Sequence, residues 1–149
     1  MNLFKYILLA VLTATVSWSS ISLEIQNVDK VAGTMDIYMT NQAGCAYCTD
    51  PLYSFDKELC ESFGDDGSGD ATWIFDSSIN EPTCDEILGD YFDGYVSGFQ
   101  FELFGMTITG VSGGTADQYF DMVDFNSSTA GILGVNFTGS PIPPGSGVL

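Results

Sequence analysis

The chain has no histidine, no arginine and only three lysines among its 149 residues. Without histidine, neither a Ser-His-Asp nor a Cys-His nucleophilic site can be assembled. Twenty acidic residues stand against the three lysines, for a formal net charge of -17. That field repels phosphate backbones and anionic headgroups, which argues against nucleic acid or a membrane surface as partner. Long apolar runs are missing too. The longest, residues 6–16, falls well short of the roughly 20 residues a spanning helix needs. No internal repeat is detectable.

What is present points to a globular, exported chain. Aromatics at 13% and apolar residues at 45% suit one compact domain with a core rather than a disordered chain. Seventeen glycines favour a turn-rich fold over a helical bundle. "MNLFKYILLAVLTATVSWSS" places Lys5 before the short apolar run and small polar residues after it, the order of a secretory signal spanning 1–19, with cleavage after Ser17 or Ser19. A secreted or cell-surface location follows as the expectation.

Export sets the reading of Cys45, Cys48, Cys60 and Cys84, which fall in one window. An even, clustered set in an oxidising compartment predicts two disulfides. The competing reading is a four-cysteine zinc site, but Cys45-x-x-Cys48 has no second half to match it. A Cys45–Cys48 bridge would close a tiny strained loop, so each is expected to reach Cys60 or Cys84.

Three kinds of segment alternate. Ile21, Leu23 and Ile25 against Ser22, Glu24 and Gln26 predict a first strand, and Met35, Ile37 and Met39 a second, with a turn from Asp29 to Gly33. The pattern breaks at "NQAGC". In "DPLYSFDKELCESFG", Leu52, Phe55, Leu59 and Phe63 share one helical face, with Asp50 as cap, Pro51 at the first helical position and Gly64 at the end. "TCDEILGDYF" carries a capping box, Thr83 with Glu86, for a second short helix. Residues 43–94 hold more than half of the acidic residues and read as a disulfide-stapled, partly helical insert. Strand alternation resumes with Phe99, Phe101 and Leu103, continues through Met106, Ile108 and Val111, and returns in two later runs at 119–125 and 132–137. The fold class is all-β: short, evenly spaced strands with Gly/Ser/Pro punctuation, a β-sandwich.

"VAGTMDIYMTN", "VSGFQFELFGMTITGVSGG" and "GILGVNFTGSPIPPGSGVL" resemble the cohesin-like modules of exported bacterial and marine proteins. The resemblance covers 20–42 and 95–149 and implies a nine-stranded, jelly-roll-like sandwich related in shape to carbohydrate-binding modules. Cohesins bind dockerins, calcium-loaded helical modules, through one sheet face. Two departures stand out. The insert 43–94 separates the strand ending in asparagine from the G-F-Q-F strand, and the family continues past the last turn into a final strand. "SPIPPGSGVL" therefore reads as a turn followed by only Val148 and Leu149 of that strand. The expectation is a truncated module with an uncovered strand edge, inclined to strand-mediated self-association.

Candidate sites are few. Asp66, Ser68 and Asp70 have the 1, 3, 5 oxygen spacing of a calcium loop, with Thr72 at position 7 and Asp76 near its end. Ala71 and Ser77 stand where such a loop wants glycine and glutamate. No cofactor is required by any motif, and calcium is the one candidate. Tyr38, Trp73, Tyr91, Phe92 and Tyr95 could build a platform for sugar or protein, Trp73 and Tyr91 best of all. Asn126-Ser127-Ser128 and Asn136-Phe137-Thr138 fit the glycosylation pattern, which matters only in a glycosylating host. The expected function is a non-catalytic extracellular attachment or assembly module with a protein partner. The alternatives are a carbohydrate-binding module for a surface polysaccharide, or a fragment of a secreted glycoside hydrolase using paired carboxylates.

Overall fold

A computed structural model describes residues 20–149; the expected secretory signal, 1–19, lies outside the described residues. Strands dominate. The described residues form three antiparallel sheets of three strands each, with three short helices.

The first sheet joins β1 (Ile21–Asp29), β2 (Thr34–Asn41) and a last strand, β9 (Gly145–Val148), in the order β1-β2-β9. Leu23 pairs with Met39 and Ile25 with Ile37, so the alternation seen in the sequence is one face of this sheet. Met39 and Asn41 are buried on that face, while Leu23 and Ile25 on the outlying strand stay about half exposed. The turn between β1 and β2 is tied by the Asp29 carboxylate, which accepts from the Val31 and Ala32 N–H groups at 2.8 and 3.0 Å.

β9 begins three residues ahead of the strand start expected at Val148. Gly145 to Val148 pairs along β2 from Asn41 to Tyr38, and Leu149 N–H donates to Ile37 C=O at 2.8 Å. A Gly-Ser-Gly segment has no alternating side chains to announce a strand, yet its backbone groups complete the ladder all the same.

The second sheet runs β6 (Gly98–Glu102), β8 (Gly131–Val135), β7 (Met122–Asn126). Phe99, Phe101, Val123, Phe125 and Ile132 turn inward while Gln100, Glu102, Asp124 and Asn126 turn out. Phe99 lies 5.5 Å from both Phe101 and Phe120, ring centre to ring centre. It can do so because Gly134 faces it: a Cβ there would stand 2.5 Å from the Phe99 ring. Residues 103–111, expected to continue as strand, form none beyond the Leu103 N–H, which donates to Ala130 C=O at 3.0 Å, and Ile108 is their buried anchor. The helix α3 (Gly114–Tyr119) follows.

Met39, Val96, Ala116, Phe120 and Ile142 form the main core, with Phe99, Val123 and Leu149 packed on it, so side chains of both sheets meet there. Packing thins towards the β1–β2 turn, where an apolar cavity of about 700 Å³ remains, lined by Ile37, Phe101, Ile108 and Leu149 among others.

Between β2 and β6 the chain builds a third sheet of its own. β3 (Gly44–Cys48) starts where the sequence pattern was expected to break, flanked by β4 (Trp73–Asp76) and β5 (Asp90–Phe92) in the order β4-β3-β5. Its helices differ from the expectation in two ways. The predicted continuous helix from Pro51 is split into a 3-10 turn, Pro51–Tyr53, and α1 (Lys57–Phe63). Asp56 interrupts it, because its carboxylate accepts from the Leu59 N–H at 2.9 Å and so starts a new helix. The second helix, α2 (Glu81–Glu86), begins three residues ahead of the predicted Thr83 box. Asn80 takes the Thr83 N–H at 3.1 Å, and Pro82 suits the first turn.

Candidate functional site

The insert is built around β3. Side chains alternate across a strand, so Cys45 and Cys48 point to opposite faces of the sheet. Cys45 bonds Cys84 on α2, and Cys48 bonds Cys60 on α1. Each helix is thereby fixed to one face, giving a small helix-sheet-helix stack whose disulfides are buried. Among the described residues no cysteine is free. On the Cys48 face, Cys60, Ala71, Tyr53 and Trp73 complete a second small core.

The insert joins the rest of the fold through Asn41. Its side chain is 2% exposed, and its Nδ2 donates to Gly94 C=O at 2.5 Å and to Pro143 C=O at 2.9 Å. One amide thus ties together the residue where the chain leaves β2, the residue where it returns, and the approach to β9. The sequence shows only that a strand ends in asparagine; its clamping role depends on partners 53 and 102 residues away.

Register decides the fate of the aromatic platform. Cys48 pairs with Trp73 and Cys45 with Tyr91, so Trp73 and Tyr91 occupy opposite faces of the insert sheet. They share no surface. Trp73 packs against the Cys48–Cys60 bridge, Tyr91 is half-buried, and Tyr95 is 49% exposed.

The acidic loop is a run of tight turns. Asp65, Asp66, Gly67 and Gly69 all have positive φ. Ser68 Oγ accepts from the Asp70 N–H at 3.2 Å, and the Asp65 N–H donates to Asp50 at 2.9 Å. Thr72 N–H donates to Thr49 Oγ1 at 2.9 Å. Asp76 lies at the end of β4, where its carboxylate accepts from the Ser78 hydroxyl at 2.6 Å and N–H at 2.8 Å. Those two bonds, the hydroxyl's first, hold its pKa below the ordinary aspartate value. Among the described residues, no three acidic or cysteine side chains converge as a metal ion would need.

Of the four apolar residues expected to share one helical face, Leu59 is partly buried and the other three are exposed. Leu52 is 76%, Phe55 64% and Phe63 53% exposed, all on the 3-10 turn, α1 and the link between them. Ser54 and Cys60 are what that segment buries. The same stretch of sequence, 50–66, also carries Asp50, Asp56, Glu58, Glu61, Asp65 and Asp66. Lys57 is within 3.8 Å of Glu61.

The two glycosylation patterns separate. Asn136 Nδ2 donates to Tyr119 C=O at 2.9 Å and to Ser140 C=O, and Asp121 accepts from Phe137 and Thr138 N–H groups beside it, so that amide belongs to the loop. Asn126 is exposed, and its Oδ1 takes the Ser128 and Thr129 N–H groups.

Comparison with protein-family models, with curated proteins and with solved structures returned no match. The cohesin-like resemblance therefore rests on the motifs at 20–42 and 95–149. No helix among the described residues is long and apolar enough to cross a membrane.

Proposed function

We propose that the chain is an exported, non-catalytic attachment module: a jelly-roll-like sandwich of cohesin-like type that presents its disulfide-stapled insert to a protein partner. The observation that carries the reading is the exposure of Leu52, Phe55 and Phe63 together on one braced segment. Large apolar side chains grouped at a surface mark interaction sites more often than chance exposure does. The Cys48–Cys60 bridge fixes α1 before any encounter, which lowers the ordering cost of association. The six carboxylates carried by residues 50–66 favour a partner whose apolar groove has a basic rim.

Serine substitution of Leu52, Phe55 and Phe63 tests this directly. The triple variant should keep its melting temperature, because none of the three is in the core. Binding to a purified exported partner should weaken by about tenfold for each dominant contact removed. A partner that binds wild type and triple variant alike would move attachment away from the insert.

A further inference from the structure

The outer face of β6-β8-β7 carries a second surface, remote in sequence from the insert. Register sets out two rows of side chains across it. Glu102, Gly131 and Asn126 form one row; Gln100, Leu133 and Asp124 form the next. Each row has a carboxylate at one end and an amide at the other, and the order is reversed between the rows. Neighbouring strands lie roughly 4.8 Å apart, so the flanking groups of a row are roughly 10 Å from each other. Between them the floor is low, since Gly131 has no side chain and Leu133 offers an apolar one. The result is an open depression of about 480 Å³.

We propose that this depression binds a neutral hexose glycan, with a sugar ring lying over Gly131 and Leu133 and its hydroxyls reaching the flanking groups. Sugar rings have an apolar C–H face and a rim of hydroxyls that donate and accept together. The site matches both. Asn126 Oδ1 already accepts from two backbone N–H groups, at 2.9 and 3.3 Å, which fixes the amide and leaves Nδ2 as an outward donor. Asp124 Oδ1 accepts from the Phe125 N–H at 2.8 Å, leaving Oδ2 as an acceptor. Fixed donors and acceptors of this kind bind without first having to be ordered. No lysine lines the depression, and two carboxylates do, so uronate and sulfated glycans are rejected by charge. The site goes beyond the insert surface and uses none of its residues.

Titration with glucose, mannose and galactose hexamers, followed by amide NMR shifts, is the test, with a galacturonate hexamer as the charged comparison. At least one neutral hexamer should bind saturably and shift Gln100, Gly131 and Leu133, and the uronate should not. Gly131→Val fills the floor: its Cβ would meet Thr129 Oγ1 at 3.2 Å, which has to give by a few tenths of an ångström, and Glu102 Cγ at 3.9 Å. Binding should fall at least tenfold while the amide spectrum away from this strand stays that of the wild type. Asn126→Asp keeps the oxygen that accepts from both backbone N–H groups but turns the Nδ2 donor into an acceptor, and should cost about fivefold. The proposal is overturned if no neutral hexamer binds, if Gly131→Val binds as wild type does, or if the uronate binds equally well. Sugar binding that instead follows substitution of Trp73 or Tyr91 would place the site on the insert and overturn it too.

Discussion

Cys45 and Cys48 stand on opposite faces of one strand, and their disulfides leave it in opposite directions. The spacing that suggests half a zinc knuckle is, on a strand, the spacing that keeps two sulfurs from meeting at one ion. The insert gains a helix on each side instead.

Peptide mapping under non-reducing conditions should recover Cys45 with Cys84 and Cys48 with Cys60. The loops closed span 39 and 12 residues, and each bridge should stabilise the insert by about 3 kcal/mol. Replacing Cys45 and Cys84 together by serine should speed hydrogen exchange in α2 and leave α1 protected. Recovery of a Cys45–Cys60 peptide would refute the arrangement.

Gly89 is the residue on which the first bridge leans. A Cβ there would collide with Cys45 Sγ and stand 2.9 Å from Cys84 Sγ and 3.0 Å from Ala46 C=O. Gly89→Ala should therefore cost about 1–3 kcal/mol, visible as a lower melting temperature. Gly147→Ala, where a Cβ meets nothing within 4 Å, is the matched control and should leave it unchanged.

Asn41→Leu removes both donors from Gly94 and Pro143 and leaves two carbonyls unsatisfied at the neck. The expected loss is about 1–3 kcal/mol, measured by urea unfolding. Asn41→Asp should be worse at neutral pH, since it sets a carboxylate against two carbonyl oxygens. That carboxyl would titrate above its unfolded value, so the deficit should be smallest in acid, where one O–H stands in for two N–H donors, and grow as pH rises through about 4. A deficit independent of pH would show that the side chain had turned away.

Legibility in the sequence followed how strongly each segment depends on its own side chains. β6 was readable because Phe99 and Phe101 alternate with Gln100 and Glu102 over a core that covers only one face. β3 was not, because its cysteines are buried on both faces and erase the alternation. The segment 51–63 had a perfect helical stripe, yet Asp56 offered a better local cap than a continuous helix could match, and Cys60 took the buried position through its bridge. β9 left no side-chain trace because its pairing is made by backbone alone. Of the candidate sites, the cysteines were legible in pairing class but not in partner. The Trp73–Tyr91 platform failed on a register that only the folded sheet defines.

Acid should loosen two turns in particular. Backbone N–H groups, Ala32 first and then Val31, hold the Asp29 carboxyl below its ordinary value, and Ser78 does the same for Asp76. A depressed folded value means the contribution is fully present above the usual aspartate range and is lost as pH falls through the folded value. Carboxyl titration by NMR should give both residues midpoints below that of an aspartate in an unfolded peptide. Asp29→Asn keeps the acceptor oxygen without the charge and should remove the acid sensitivity of the β1–β2 turn. Ordinary midpoints for both would show the turns are open in solution.

A chain that departs at Asn41 and comes home at Gly94, with both ends touching one amide, leaves almost no gap behind if the stretch between them is cut out. The scaffold bears no closure strain from whatever that stretch contains, since its ends are already together. The head is therefore exchangeable. A short linker or an unrelated stapled cassette could be spliced between Asn41 and Gly94, and the remaining two sheets would carry a different surface on the same stem.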